Sequence, residues 1–220
     1  RSGYSEFLLA LGFKGNVIRD YFLNYEVYNN DFTVRLGHYN KDVQFHSKLQ
    51  EEADWKVTLV ETGEKALTGT RIKRCEKYIK GDLFFATYGD GLADIDIRKL
   101  LEFHKRHGKI ATLTGVNPPS RWGELAADRD RIINFKEKPP VEGGERYVSG
   151  GFFVFHRRVF DYISPDEDCI LENRVLEKLA EDGELMLYRH DGGWQAMDNY
   201  RDYLYLNDLW NNGKAFWNRK

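Results

Sequence analysis

A chain of 220 residues is long enough for one domain or two small ones, and buries a core without disulfide staples. Its 33 Lys and Arg against 35 Asp and Glu leave a net charge of −2, which excludes the strong positive field of a duplex nucleic-acid binder but not a local basic pocket for phosphates. No apolar run approaches the ~20 residues of a membrane span, no signal peptide is legible, and Cys75 and Cys169 have no metal-site or disulfide spacing, so the expectation is a globular protein of the reducing cytoplasm with no membrane and no nucleic-acid partner.

The chain opens at Arg1-Ser2-Gly3, without methionine and just before an apolar run, as if cut into a fold. Residues 7–11 are continuously apolar and stop at Gly12, which reads as a buried strand. Val17, Ile18, Tyr21 and Phe22 then share one helical face. Residues 31–60 break this rhythm. Phe32-Thr33-Val34, Val43-Gln44-Phe45 and Val57-Thr58-Leu59-Val60 alternate with a period of two, around the turn residues Gly37, Asn40 and Lys41, so a strand-rich insertion is expected there. Its aromatic residues Phe32, Phe45 and Trp55 suit an interface or a local core equally.

Ile72, Cys75, Tyr78 and Ile79 predict a helix over 68–80, followed by an apolar strand over 83–88 that ends at Gly89-Asp90-Gly91. Asp94 is the expected N-cap of a helix over 95–107. A strand follows over 110–116, then two antiparallel strands around Asp128-Arg129-Asp130 and a strand over 147–155 interrupted by Gly150-Gly151. Residues 171–181 read as helix, 185–188 as strand and 200–210 as helix. Helices alternating with apolar strands predict an α/β fold: a Rossmann-like, mostly parallel central sheet flanked by helices. With no repeat, low-complexity tract or linker, residues 1–220 read as a single domain.

Four places could carry chemistry. Gly89-Asp90-Gly91 puts a carboxylate between two glycines at the carboxyl end of a buried strand, where open α/β sheets bind ligands; it also suits an ordinary Asp-Gly turn. Glu137-Lys138-Pro139 ends a strand with a lysine suited to a phosphate, or is a solvated charged turn. Asp198, in Trp194-Gln195-Ala196-Met197-Asp198, caps the next helix, or ligates a metal, or does both in different conformations. Thr68 and Gly69 stand at a helix amino end, which favours anions and also needs no role beyond starting the helix. The histidines have no ligand spacing, and His104 and His107 are read as structural.

In chain order these pieces resemble the sugar-nucleotide nucleotidyltransferases, and within them the glucose-1-phosphate cytidylyltransferase family. The matching stretches are Glu6-Phe7-Leu8-Leu9-Ala10-Leu11-Gly12, Trp55-Lys56-Val57-Thr58-Leu59-Val60-Glu61-Thr62-Gly63, Thr68-Gly69-Thr70-Arg71, Thr87-Tyr88-Gly89-Asp90-Gly91, Glu137-Lys138-Pro139, Ser149-Gly150-Gly151 and Trp194-Gln195-Ala196-Met197-Asp198 with Arg201-Asp202. The resemblance implies the nucleotide-diphospho-sugar transferase fold. It implies Mg²⁺ held by Asp90 and Asp198, Gly89 and Arg71 along the nucleotide, and Thr68 and Gly69 near its base. It also implies Glu137 and Lys138 at the sugar hydroxyls and phosphate, with Gly150 and Gly151 letting backbone approach the hexose. The partners implied are CTP and glucose 1-phosphate, giving CDP-glucose for dideoxyhexose or O-antigen-type sugars, and other copies of the chain in a homo-oligomer, a hexamer, with residues 31–60 at the contact. The family's first strand and glycine-rich phosphate loop, a unit of about 30 residues, are not in the sequence as given. Ser149 stands where the family often has Asn, and Thr70 where it often has Gly. The competing readings are a non-catalytic sugar-nucleotide-binding or regulatory domain and a relative using UTP or dTTP.

Overall fold

The computed structural model describes residues 2–37, 42–46, 54–117, 124–128, 131–136 and 147–218, with backbone alone between 124 and 136. The chain divides into two compact units, residues 1–80 with 160–178, and residues 81–159 with 179–220.

In the first unit, β1 (Glu6–Leu11) is followed by α1 (Gly15–Leu23) and α2 (Tyr25–Asn29). The hairpin β2 (Phe32–Arg35) and β3 (Asp42–Phe45) leads to β4 (Lys56–Glu61) and α3 (Thr68–Cys75). β1 and β4 pair in parallel, from Glu6 opposite Lys56 to Leu11 opposite Glu61, so both carboxyl ends finish side by side. α3 packs on β1 and on a single π-helical stretch, Leu171–Leu176. Leu11, Val60, Ala66, Cys75, Leu171 and Val175 are buried. The expected helix over 68–80 is shorter: it tightens into a 3₁₀ turn at Glu76–Tyr78, a common way for a helix to end.

Among the described strands, β2 and β3 pair only with each other. Phe32 faces Phe45, with ring centroids 5.8 Å apart, and all eight residues of the two strands are exposed. Residues 57–60, the last alternating run of the expected insertion, belong to β4. Trp55, though exposed, packs its ring 4.9 Å from that of Phe7.

The second unit begins with β5 (Leu83–Thr87), β6 (Gly91–Ala93) and α4 (Ile97–His107). β7 (Ala111–Val116), β8 (Glu124–Asp128), β9 (Arg131–Lys136) and β10 (Val148–His156) follow. The boundary between the units falls inside α5 (Glu177–Glu181), after which come β11 (Leu185–His190), β12 (Trp194–Ala196) and α6 (Tyr200–Asn211). The main sheet has the order β11-β7-β10-β5. β11 and β7 are parallel, and β10 runs antiparallel to both its neighbours, so the sheet is mixed. Phe153, Val154 and Phe155 of β10, Val116 of β7 and Leu100 of α4 are almost fully buried. Each such side chain contributes roughly 1.5–3 kcal/mol by leaving water.

The N-cap of α4 is Asp96, not Asp94: its carboxylate accepts from the N–H groups of Arg98 and Lys99, 3.1 and 3.2 Å away. Ile95 therefore lies outside the helix, and Asp94 is engaged elsewhere. The helix ends at Gly108, whose φ of +64° suits the left-handed C-cap.

Candidate functional site

The carboxyl end of β5 leads into the strongest sequence candidate. Tyr88 donates its N–H to the carbonyl of Gly151, 3.2 Å away. Gly89 and Asp90 follow, both exposed, and the chain enters β6. β6 pairs antiparallel with β12, with Gly91 opposite Ala196, Leu92 opposite Gln195 and Ala93 opposite Trp194. One step beyond this ladder, the N–H of Met197 donates to the carbonyl of Asp90, 2.8 Å away. The ribbon thus ends with Asp90 on one strand and Met197-Asp198 on the other, and both acidic residues are exposed.

The start of α6 holds the Asp198 backbone. Asn199, not Asp198, is the N-cap: its side chain accepts from the N–H groups of Arg201 and Asp202. Asp202 reaches back to accept from the Asp198 N–H at 3.1 Å and from the Asn199 amide at 2.9 Å, a reciprocal cap one residue past the acidic position.

These residues fit Mg²⁺ by donor chemistry. A hard cation of this kind usually takes one or two carboxylates and fills its other positions with water and substrate phosphate. Among the described residues no group of three or more His, Cys, Asp and Glu forms a metal cluster. Two carboxylates joined by a short ladder suit an ion whose remaining ligands come with the substrate.

Beside this corner β10 shifts register between Ser149 and Phe153. The carbonyl of Gly150 accepts from the indole N–H of Trp194, 2.9 Å away. A Cβ on Gly150 would lie 2.8 Å from a Val116 methyl, and Gly151 has φ +74°, with Tyr88 where its own Cβ would go. Gly89, Asp90, Gly150, Gly151 and Asp198 thus belong to one corner of the second unit.

Thr68, Gly69 and Arg71 belong to the first unit. The Thr68 hydroxyl donates to Glu172 at 3.0 Å and accepts from the Leu171 N–H at 2.9 Å. The N–H groups of Gly69 and Thr70 both donate to the carbonyl of Cys169, which takes up donors that a helix amino end would otherwise offer an anion. A Cβ on Gly69 would meet Cys169 at 2.9 Å, so this glycine allows close packing of α3.

Arg71 reaches the carboxyl ends of the parallel pair. Its guanidinium donates to the Thr62 hydroxyl at 2.8 Å and the Glu64 carbonyl at 3.3 Å, and lies where a side chain on Gly12 would go. Thr62 is fully buried and donates in turn to the Leu11 carbonyl at 2.7 Å. One turn on, Arg74 donates to the Thr62 carbonyl at 2.7 Å and pairs with Glu167 at 3.2 Å. Glu61 accepts from Arg19 at 2.7 Å, and this bond, with the N–H of Gly63, holds its carboxyl below the usual carboxylate range. Two arginines from α3 therefore fasten the strand ends where α/β sheets bind ligands.

Glu137 and Lys138 lie outside the described residues. The roles of Thr62, Arg74, Trp194 and Asp202 were not assigned from sequence, although Asn199-x-x-Asp202 is a legible capping pattern. Among the described residues no helix is long and apolar enough to cross a membrane.

A family model for nucleotidyl transferases matches residues 21–212, and with it comes the α/β nucleotide-diphospho-sugar transferase fold. A glucose-1-phosphate cytidylyltransferase of Salmonella typhi is 44% identical over 216 residues, covering 98% of this chain and 81% of that protein. A probable glucose-1-phosphate cytidylyltransferase of Bacillus subtilis is 40% identical over 215 residues, covering 98% and 82%. Among solved structures, HddC from Yersinia pseudotuberculosis shares the fold with a TM-score of 0.63 at 19% identity, over 95% of this chain and 80% of that one.

Proposed function

The chain belongs to the glucose-1-phosphate cytidylyltransferase family of nucleotidyl transferases, and we propose that it transfers the cytidylyl group of CTP to glucose 1-phosphate. A phosphate oxygen of the sugar attacks the α-phosphorus, the α–β phosphoanhydride bond breaks, and pyrophosphate leaves with the electron pair. The nucleophile is already anionic, so no general base is required. The obstacle is charge, since two polyanions must be brought together in line.

The observation that carries this reading is the β6–β12 ladder, which joins Asp90 and Met197-Asp198 at one ribbon end. We assign Mg²⁺ to Asp90 and Asp198, where it would offset phosphate charge in the transition state. Asp202 holds the backbone of Asp198 through its N–H. Gly89 lets the nucleotide pass close to the backbone, and Arg71 supplies positive charge at the ends of β1 and β4. Thr68 and Gly69 serve the base by fixing α3. Gly150 and Gly151 leave room for the hexose, while Glu137 and Lys138 take the sugar hydroxyls and phosphate on the resemblance alone. The exposed Phe32, Val34, Val43 and Phe45 of the hairpin fit a contact with a second copy, within a cytoplasmic hexamer.

The test is pyrophosphate release with glucose 1-phosphate and CTP, UTP, dTTP or GTP offered separately. CTP is expected to be preferred, and Asp90→Asn to lower the rate by roughly 10²-fold or more. Preference for UTP or dTTP would reassign the nucleotide. Tight nucleotide binding without turnover would favour a binding domain, and near-normal turnover in Asp90→Asn would remove that residue from the mechanism.

A further inference from the structure

The ribbon that carries Asp90 and Asp198 has only three ladder pairs, too few to hold a fixed orientation unaided. One side-chain link ties it to the main sheet, from Trp194 to the Gly150 carbonyl. A second stands at the ribbon's other end, away from the two carboxylates. There Asp94, the residue after β6, meets His190, the last residue of β11. His190 Nε2 lies 3.0 Å from Asp94 Oδ1 and 3.3 Å from the Gly193 carbonyl. A carbonyl oxygen can only accept, so the bond to Gly193 places the proton on Nε2, with the Asp94 carboxylate in close contact beside it. The two side chains are only 11% and 19% exposed, so the contact is largely shielded from water. The Asp94 N–H also donates to the Gly193 carbonyl at 3.1 Å. Gly192 fits beneath the pair, where a Cβ would come within 2.3 Å of Asp94 Oδ1 and 2.7 Å of the His190 ring. The strand that leads into β12 is thus clamped to the strand that leaves β6.

We propose that Asp94 and His190 are a positioning pair for the two acidic residues at the opposite end of the ribbon. The proposal rests on the assignment of Asp90 and Asp198 to the metal. Neither member of the pair touches the reacting groups. The ribbon spans about 10 Å over three residues at about 3.4 Å each, so a small rotation at the clamped end displaces the far end and spreads the carboxylates. Loosening the clamp weakens the ion's hold while leaving the hexose corner at Gly150-Gly151 in place.

The experiment compares His190→Ala, His190→Gln and Asp94→Asn in three readouts. The first is hydrogen exchange at residues 91–97 and 194–198, which requires no assumption about activity. The second is binding of Mn²⁺ alone, as a spectroscopic stand-in for Mg²⁺. The third is kcat against KM for glucose 1-phosphate. His190→Ala is expected to lose exchange protection along the ribbon and to weaken Mn²⁺ binding roughly 10- to 100-fold, with kcat falling more than KM rises. His190→Gln keeps an N–H at the position of Nε2 and restores most of both. Unchanged exchange in His190→Ala, or His190→Gln behaving no better than Ala, overturns the clamp. Lost protection with Mn²⁺ binding within twofold of the parent overturns the coupling to the carboxylates. Asp90→Asn serves as the control: if it too leaves Mn²⁺ binding unchanged, the metal assignment fails, while the exchange result still decides the clamp. Should His190→Ala not fold, Asp94→Asn, which keeps the shape and an acceptor oxygen, carries the same readouts.

Discussion

Gly151→Ala tests the geometry of the sugar corner with a built-in control. At φ +74° the added methyl forces a left-handed conformation on an L-residue, which costs about 1–2 kcal/mol. The methyl would also lie 2.8 Å from one carbon of the Tyr88 ring and 3.4 Å from the next. That ring cannot easily retreat. It stands edge-on to Phe153 with centroids 5.8 Å apart, and Phe153 is stacked on the fully buried Phe155 at 5.3 Å. Overpacking of this kind typically costs a further 1–3 kcal/mol or so, for a total of about 2–5 kcal/mol. Gly183 provides the reference. Its φ is +69° and nothing lies within 4 Å of a Cβ placed there, so Gly183→Ala carries the backbone cost alone. The two variants should differ by about 1–3 kcal/mol, which in a domain of this length separates their melting temperatures by about 2–12 °C. Urea unfolding followed by circular dichroism and by fluorescence measures this, with coincident transitions needed before either is read as a free energy. Tyr88 leads directly into Gly89-Asp90, so Gly151→Ala should also lower pyrophosphate release more than Gly183→Ala does. Equal stability of the two variants would show that Tyr88 yields freely and that the corner is not packed as described.

Thr62→Val keeps the volume and shape of a fully buried side chain but removes the hydroxyl between Arg71 and the Leu11 carbonyl. It is expected to cost about 1–3 kcal/mol of stability and to raise KM for CTP several-fold while leaving KM for glucose 1-phosphate near its parent value; the opposite split in steady-state kinetics would detach Arg71 from the nucleotide. His104, on the face of α4 that packs toward the sheet, bonds through Nδ1 to Thr112 at 2.8 Å, and burial, with smaller contributions from His107 and His156, pulls its pKa down from 6.5 to about 4. Between these two values the unfolded chain binds the extra proton, so stability is complete above about pH 6.5 and falls as pH drops toward 4, by on the order of 3 kcal/mol. Urea midpoints between pH 4.5 and 7 should fall less steeply for His104→Asn than for the parent, and equal slopes would remove His104 as the source.

The strands that were legible were those whose hydrophobicity announced itself. Residues 7–11 and 83–86 are apolar runs, and each lies in a strand. Their direction was not legible, because a run of buried side chains reads the same from either end. β10 lies antiparallel between β7 and β5 only because of where the chain returns. The caps were misplaced for a related reason. Asp94 and Asp96 both precede isoleucine, and local preference does not separate them. Asp96 takes the helix because its carboxylate reaches Arg98 and Lys99, while Asp94 meets a histidine from a distant strand. Likewise Asp198 and Asn199 are both good caps, and Asn199 takes the role because Asp202 answers it.

The two acidic positions were readable singly, as a carboxylate between glycines and as the end of a Trp-Gln-Ala-Met-Asp stretch, but the ladder that brings their backbones to one ribbon end was not. It depends on β6 and β12, whose three residues each are too short to show a period of two. So short a ladder does not define its own register either. A slip of one residue would turn Trp194 to the opposite face, away from the Gly150 carbonyl, and replace Met197 as the residue opposite Asp90. What excludes the slip is tertiary: the indole bond on one side, and on the other the Asp94–His190 pair, seated over a glycine that leaves no room for a side chain. The register that brings the backbones of Asp90 and Asp198 to one ribbon end is therefore set by contacts several residues away from either of them.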